Sequence, residues 1–237
     1  MSMTASGQLE KVRVGLLVYP EVNALDVIGP AEIFAGSSHV DVHLVGKTIT
    51  PVRTSGGWRI VPTTSFADTP ELDVLCVPGG VGQIALMTDE KTLGFVRRQA
   101  ATARYVTSVC TGALLLGAAG LLRGYRATTH WMSHDQLALF GAVPQRQRVV
   151  VDRNRITGAG VTAGMDFALV VLGELFGEQE AQAVQLAVEY DPAPPYTAGQ
   201  PHLASADVVA QVTARAVAKQ DSRLETSRAA VLRLRDL

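Results

Sequence analysis

The chain is 237 residues long and has only two cysteines, Cys76 and Cys110, both set in apolar runs and not in loops. That excludes a disulfide framework and fits a reducing compartment. A surplus of either charge is also missing, since 21 Lys+Arg face 22 Asp+Glu for a formal net charge of -1. Nothing therefore drives counterion release from nucleic acid or adsorption to an anionic membrane surface, and neither partner is expected. Long hydrophobic runs are absent as well. The longest uncharged apolar stretch, around Ala113 to Leu122, falls far short of the roughly 20 residues that cross a bilayer. Residues 1–10 carry neither a basic region nor an apolar core, so no secretion signal is read there. His39, His43, His134 and His202 lack metal-ligand spacing with a cysteine or carboxylate, and residues 158–164 have glycines but no phosphate-loop lysine. The expectation is a soluble, cytoplasmic protein with no metal and no cofactor. Internal repeats and low-complexity tracts are missing too.

Hydrophobic residues make up 47% of the chain against 18% charged and 5% aromatic, ordinary globular composition with little charge. Residues 12–19, 40–45, 72–77 and 105–109 are short β-branched apolar runs, each reading as a strand buried on both faces. Helical patterns alternate with them, at Leu25, Ile28, Ile33 and Phe34, over residues 89–103, and in the small-residue run after Cys110. Such alternation predicts a doubly wound, mostly parallel sheet with helices on both faces. Hairpins are expected around Ser55-Gly56-Gly57 and Asp152-Arg153-Asn154. An apolar helix follows at residues 162–176, with Thr162 as N-cap, and a second helix at 178–188. Asp191-Pro192-Ala193-Pro194-Pro195 ends the second of these, and residues 204–219, with Val208, Val209, Val212 and Val217, predict an amphipathic C-terminal helix. This divides the chain into an α/β domain, 1–195, and a helical extension, 196–237, packed on that domain or on a second subunit.

Cys110 falls where a buried strand meets a helix, at the carboxyl edge of the sheet where open α/β folds bind ligands. The amides of the helix start favour a thiolate there, so Cys110 reads as a nucleophile, against the alternative of a small core residue. Mid-strand Cys76 reads as core. Thr111 puts a hydroxyl within reach of a group bound at the sulfur, or simply caps the helix. Gly79 and Gly80, ending the strand in Pro78-Gly79-Gly80, offer unblocked amides to an anionic intermediate, or form a plain turn. Asp26, among apolar residues just past the first strand, needs a partner or a raised pKa; it reaches Cys110 if the first and fourth strands are neighbours. His130 stands equally as a base for the cysteine or as a packed core histidine.

Together these motifs resemble the ThiJ/PfpI superfamily, whose flavodoxin-like core carries a cysteine at a strand–helix elbow. The resemblance runs from Val12 to about Tyr190. It is carried by Leu25-Asp26-Val27-Ile28-Gly29-Pro30, Val77-Pro78-Gly79-Gly80, Ser108-Val109-Cys110-Thr111-Gly112, Ala127-Thr128-Thr129-His130-Trp131 and the segment Thr157 to Asp166. The branch it looks most like is isonitrile (isocyanide) hydratase, which implies a small-molecule isocyanide substrate and the superfamily's usual homodimer. Carried over, the nucleophile falls on Cys110, the acid/base on Asp26 and the auxiliary hydroxyl on Thr111. Protease-like members have histidine where this chain has Thr111, deglycase-like members glutamate where it has Asp26, and amidotransferases a late His-x-Glu pair where it has His202-Leu203-Ala204. Two other readings stand beside the hydratase. One is a redox sensor whose Cys110 is oxidised to a sulfinic acid; the other is the small-molecule-sensing domain of a transcription regulator.

Overall fold

The computed structural model describes residues 11–234, so the reading of residues 1–10 lies outside the described residues. In chain order the elements are β1 (Val12–Leu17), α1 (Ala24–Ala35), β2 (Val40–Gly46), β3 (Val52–Arg53), β4 (Arg59–Ile60), β5 (Thr64–Ser65) and β6 (Val74–Val77). Then come α2 (Gln83–Leu86), α3 (Glu90–Thr102), β7 (Tyr105–Val109), α4 (Gly112–Ala118), β8 (Arg126–Ala127), a 3-10 helix (Trp131–Phe140) and β9 (Val143–Pro144). The chain continues through β10 (Val149–Asp152), β11 (Arg155–Gly158), α5 (Ala163–Phe176), α6 (Glu178–Ala187) and α7 (Ala206–Leu234).

Seven strands form the main sheet in the order β10-β11-β7-β6-β1-β2-β5. All its pairings are parallel except the β10–β11 hairpin. The central strands are unbroken apolar runs because both faces are covered: β6 is buried throughout and β1 along its last four residues. The helices pack in two groups, α1 with α5 and α6, and α7 with α2, α4 and the 3-10 helix. The doubly wound, mostly parallel α/β fold expected from the strand–helix alternation is the fold observed. Among the described residues no helix is long and apolar enough to cross a membrane.

Three differences from the sequence reading matter for the site. β6 lies between β1 and β7, so the first and fourth predicted strands are not neighbours. Thr162 stands at the N-cap position of α5, yet its side chain caps nothing; Oγ1 instead accepts from the Arg148 guanidinium at 3.3 Å. The C-terminal helix extends well past residue 219, and its packed stripe is Arg223, Ser227 and Ala230, not the valines, three of which (Val208, Val212, Val217) are exposed. The i, i+4, i+7 spacing is the helical one, but the docked face holds polar groups, which hydropathy does not flag.

Candidate active site

Backbone geometry builds the site before any side chain does. β7 ends at Val109 and α4 begins at Gly112, and between them Cys110 takes φ 56°, in the left-handed region that a non-glycine residue enters at a cost of about 1–2 kcal/mol. The surroundings hold it there. Its N–H donates to the carbonyl of Ala159 at 2.7 Å and of Gly158 at 3.2 Å, and its carbonyl accepts from the Thr129 hydroxyl at 2.6 Å. The turn demands glycine beside it: a Cβ on Gly112 would sit 1.9 Å from the Val77 carbonyl oxygen, and one on Gly79 2.8 Å from both Cys110 Cβ and Asp26 Oδ2. The chain therefore passes through a gap that only a hydrogen fits, which turns the Cys110 side chain out at the carboxyl edge of the sheet.

Asp26 arrives from the first turn of α1, opened by Asn23, whose Oδ1 accepts from Leu25 N–H at 3.1 Å. Its Oδ2 accepts from Gly79 N–H at 2.9 Å, and the carboxyl faces the Cys110 thiol. So Asp26 and Cys110 meet although a strand separates β1 from β7; the bridging element is the turn after β6. Asp26 has no exposed surface, and burial raises its pKa to about 7 against the opposing pull of the Gly79 amide and the thiol. Cys110 is also raised, first by burial and then by the Asp26 charge, while the Thr111 N–H and Arg223 lower it. Two acids so close cannot readily both ionise: Asp26 titrates near 7, and its ionisation pushes the Cys110 thiol higher still.

The glycine amides are not unblocked. Gly79 N–H is on Asp26 and Gly80 N–H is on Thr111 Oγ1 at 3.2 Å, so as they stand neither is left to receive an anion. This corrects the expectation for both, and the reason is the same accounting that suggested them: a buried N–H finds a partner. Thr111 is the N-cap residue of α4, makes no side-chain cap, and is tied through its hydroxyl to Gly80. Cys76, mid-strand and fully buried, is pushed up to about 12 by burial, as befits a core thiol.

His130 is not among the groups that shift Cys110. It precedes the 3-10 helix, accepts from Met132 N–H at 3.4 Å through Nδ1 and packs on Trp131 with ring centroids 5.9 Å apart. Burial first, and Arg223 second, lower its pKa to about 4, so it is neutral near pH 7. It lines a 310 Å³ cavity with His134, Arg146 and Gly160.

Three residues passed over in the sequence belong to this neighbourhood. Tyr19 follows β1, is buried, and donates its hydroxyl to the Pro78 carbonyl at 2.8 Å; burial, then Asp26 and Cys110, raise its pKa. Gln83 opens α2, fully buried, and its Oε1 accepts from Arg223 Nε at 3.2 Å. Arg223 comes from α7, and burial lowers its pKa. The only sequence signal for it was an arginine in register with Ser227 and Ala230 on one helical face. Among the described residues no cluster of three or more His, Cys, Asp or Glu could hold a metal ion.

Residues 12–174 match the model of the DJ-1/PfpI family. An isonitrile hydratase of Pseudomonas putida is 52% identical over 94% of this chain and 98% of its own length. A ThiJ/PfpI family protein from Pseudomonas syringae has a crystal structure that superposes with a TM-score of 0.90 at 43% identity, covering 92% of this chain and 91% of that one. The HTH-type transcriptional regulator GbdR of Pseudomonas aeruginosa is 30% identical over 71% of this chain but only 46% of its own length. With sequence motifs, sheet order and elbow geometry in agreement, the chain belongs to the DJ-1/PfpI family.

Proposed function

We propose that the chain is an isonitrile hydratase, adding water to a small-molecule isocyanide to give an N-formamide, with Cys110 as nucleophile and Asp26 as acid and base. The observation that carries this reading is the carboxyl of Asp26, held by Gly79 N–H against the Cys110 thiol with its pKa raised to about 7. An isocyanide carbon must receive a nucleophile and a proton at one atom, and this pair presents both to one point. The sulfur bonds to the terminal carbon while Asp26 gives that carbon its proton, forming a thioimidate and a carboxylate. The carboxylate then takes a proton from water as the hydroxide adds to the same carbon, and passes it to nitrogen. Cys110 leaves as thiolate, the hydroxyl proton returns to Asp26, and the formamide departs. Atoms balance as isocyanide plus water, with no oxidant or reductant.

The similarity to the Pseudomonas putida enzyme supports the substrate class. Thr111 is assigned to hold Gly80 and, through it, the turn that carries Gly79. Gly79 acts as the clamp on Asp26 in place of the oxyanion donor expected from the sequence. A homodimer and a cytoplasmic location complete the reading. Exposed Leu25 and Ile28 on α1, and exposed Trp58 and Val61 at the β3–β4 hairpin, support the dimer; Ser55 of that hairpin donates to Val22, just before α1, at 3.0 Å. Two unpaired, buried thiols suit a reducing compartment. The test is ultraviolet-monitored formation of N-formamide from a simple aromatic isocyanide by purified protein. No product at millimolar substrate would end the hydratase reading.

A further inference from the structure

A single peptide group holds Asp26. The carboxyl Oδ2 accepts from Gly79 N–H at 2.9 Å, the one backbone donor on it among the described residues, while Oδ1 is buried with no hydrogen-bond partner there. That N–H belongs to the peptide joining Pro78 to Gly79, which is trans, so the Pro78 carbonyl lies at the opposite end of the same plane and points the other way. This carbonyl accepts from the Tyr19 hydroxyl at 2.8 Å. One planar unit thus carries a hydrogen bond at each end: Tyr19 gives to its oxygen, and Asp26 takes from its nitrogen. The plane can tilt only through ψ of Pro78 and φ of Gly79, and a glycine φ is loose. A bond at one end would leave that tilt free, whereas bonds at both ends do not. The Tyr19 ring is itself fixed, being 4% exposed and packed so that a Cβ on Gly82 would sit 3.2 Å from its Cδ2. Burial, then the charges of Asp26 and Cys110, hold its pKa well above the ordinary tyrosine value, so the hydroxyl is a donor throughout the neutral range.

We propose that Tyr19 is a positioning residue of the site: its hydroxyl fixes and polarises the Pro78–Gly79 peptide, and through that peptide it holds the Asp26 carboxyl against Cys110. Polarisation follows because a carbonyl that accepts a hydrogen bond makes the N–H of the same peptide a better donor. The other end of Gly79 completes the hold. Its carbonyl accepts from Asn23 N–H at 2.9 Å, and Asn23 caps α1, the helix that carries Asp26. The other titratable groups facing Asp26 are Cys110 at the elbow and Cys76 of β6, and neither donates to this peptide. An amide donor stabilises the carboxylate over the acid, so loosening Gly79 raises the Asp26 pKa further above about 7. The inference rests on Asp26 being the acid and base proposed above, but its first readout needs no isocyanide.

The experiment is a carbon-13 NMR titration of protein labelled at its aspartate carboxyls, for the parent, Tyr19→Phe and Thr107→Val, with the Asp26 signal identified by its loss in Asp26→Asn. Tyr19→Phe removes the hydroxyl and keeps the ring. One amide donor lowers a carboxyl pKa by about a unit, so its weakening is expected to raise the Asp26 midpoint by about half a unit. Thr107→Val controls for general destabilisation. It removes another buried hydroxyl-to-carbonyl bond, from Thr107 Oγ1 to Leu75 at 2.9 Å, that is no part of the path to Asp26, and is expected to leave the midpoint in place. In turnover Tyr19→Phe is expected to lower kcat about tenfold with KM unchanged, a fraction of the about 10²-fold that a misplacement of roughly 1 Å can cost. Should Tyr19→Phe not fold, a ring-fluorinated tyrosine at position 19 keeps the hydroxyl, makes it a stronger donor, and is expected to move the midpoint downward. An Asp26 midpoint unmoved by either change, or moved as far by Thr107→Val as by Tyr19→Phe, would overturn the proposal. A shifted midpoint in a protein that hydrates no isocyanide would refute the substrate while leaving Tyr19 in its role.

Discussion

At the scale of single residues, the site works by holding two acids where neither ionises comfortably. Cys110→Ala should abolish hydration, and retention of a tenth of the parent's turnover would remove the covalent route. Cys76→Ser should leave turnover intact and cost about 1–3 kcal/mol in thermal unfolding, because a hydroxyl would be buried in an apolar strand. Asp26→Asn should lower turnover by about 10²–10⁴-fold, as for loss of a general acid–base group, while Cys110 remains open to alkylation. The same change has a pH-dependent effect on stability. Asp26 has a folded pKa raised from 3.8 to about 7, so the folded state binds its proton more tightly than the unfolded state. That contribution is fully present below about pH 4 and is lost as pH rises through about 7. Denaturant titrations should therefore find Asp26→Asn more stable than the parent at pH 8, by up to roughly 4 kcal/mol, with the gap closing toward pH 4. An unchanged gap across that range would mean that Asp26 is ionised throughout. His130→Asn should cost less than tenfold in turnover, since burial lowers the His130 pKa to about 4 and leaves it neutral near pH 7 and only weakly basic; a loss equal to that of Asp26→Asn would make it the base.

At the scale of elements, Cys110 and Asp26 were legible because each sits at a boundary that the sequence marks. β-branched residues stop at Val109, Gly112 follows, and a lone carboxylate interrupts an apolar helix start. What escaped was everything that depends on sheet order. Hydrophobic period identifies strands, but it does not say that β6 lies between β1 and β7, nor that the turn after β6 would spend its two glycine amides on Asp26 and Thr111. Tyr19 and Gln83 read as ordinary because their partners, the Pro78 carbonyl and Arg223, are distant along the chain. The strand–helix junction carries its own prediction. Cys110→Gly releases the left-handed strain at φ 56° that Cys110→Ala retains, so the glycine variant should be the more stable of the two inactive proteins by about 1 kcal/mol. Equal melting temperatures would show that the elbow is not strained.

At the scale of the whole molecule, exposed large apolar side chains are spread over several elements, with Leu25 and Ile28 on α1, Trp58 and Val61 at the β3–β4 hairpin, Leu186 on α6 and Val208, Val212 and Val217 on α7 among them. Replacing Leu25 and Ile28 together by glutamate should shift sedimentation from dimer to monomer if α1 forms the subunit contact; a dimer that survives would move that contact elsewhere. The second half of α7 is different, since it lies on α2, α4 and the 3-10 helix and brings Arg223 to Gln83 of α2, 140 residues earlier in the chain. Synthesis runs from the N-terminus, and the parts of a chain that emerge first can fold first. The sheet, the elbow and Asp26 all leave the ribosome before Arg223 does. A nascent chain can thus assemble its nucleophile before the helix that packs on α2, α4 and the 3-10 helix has been made.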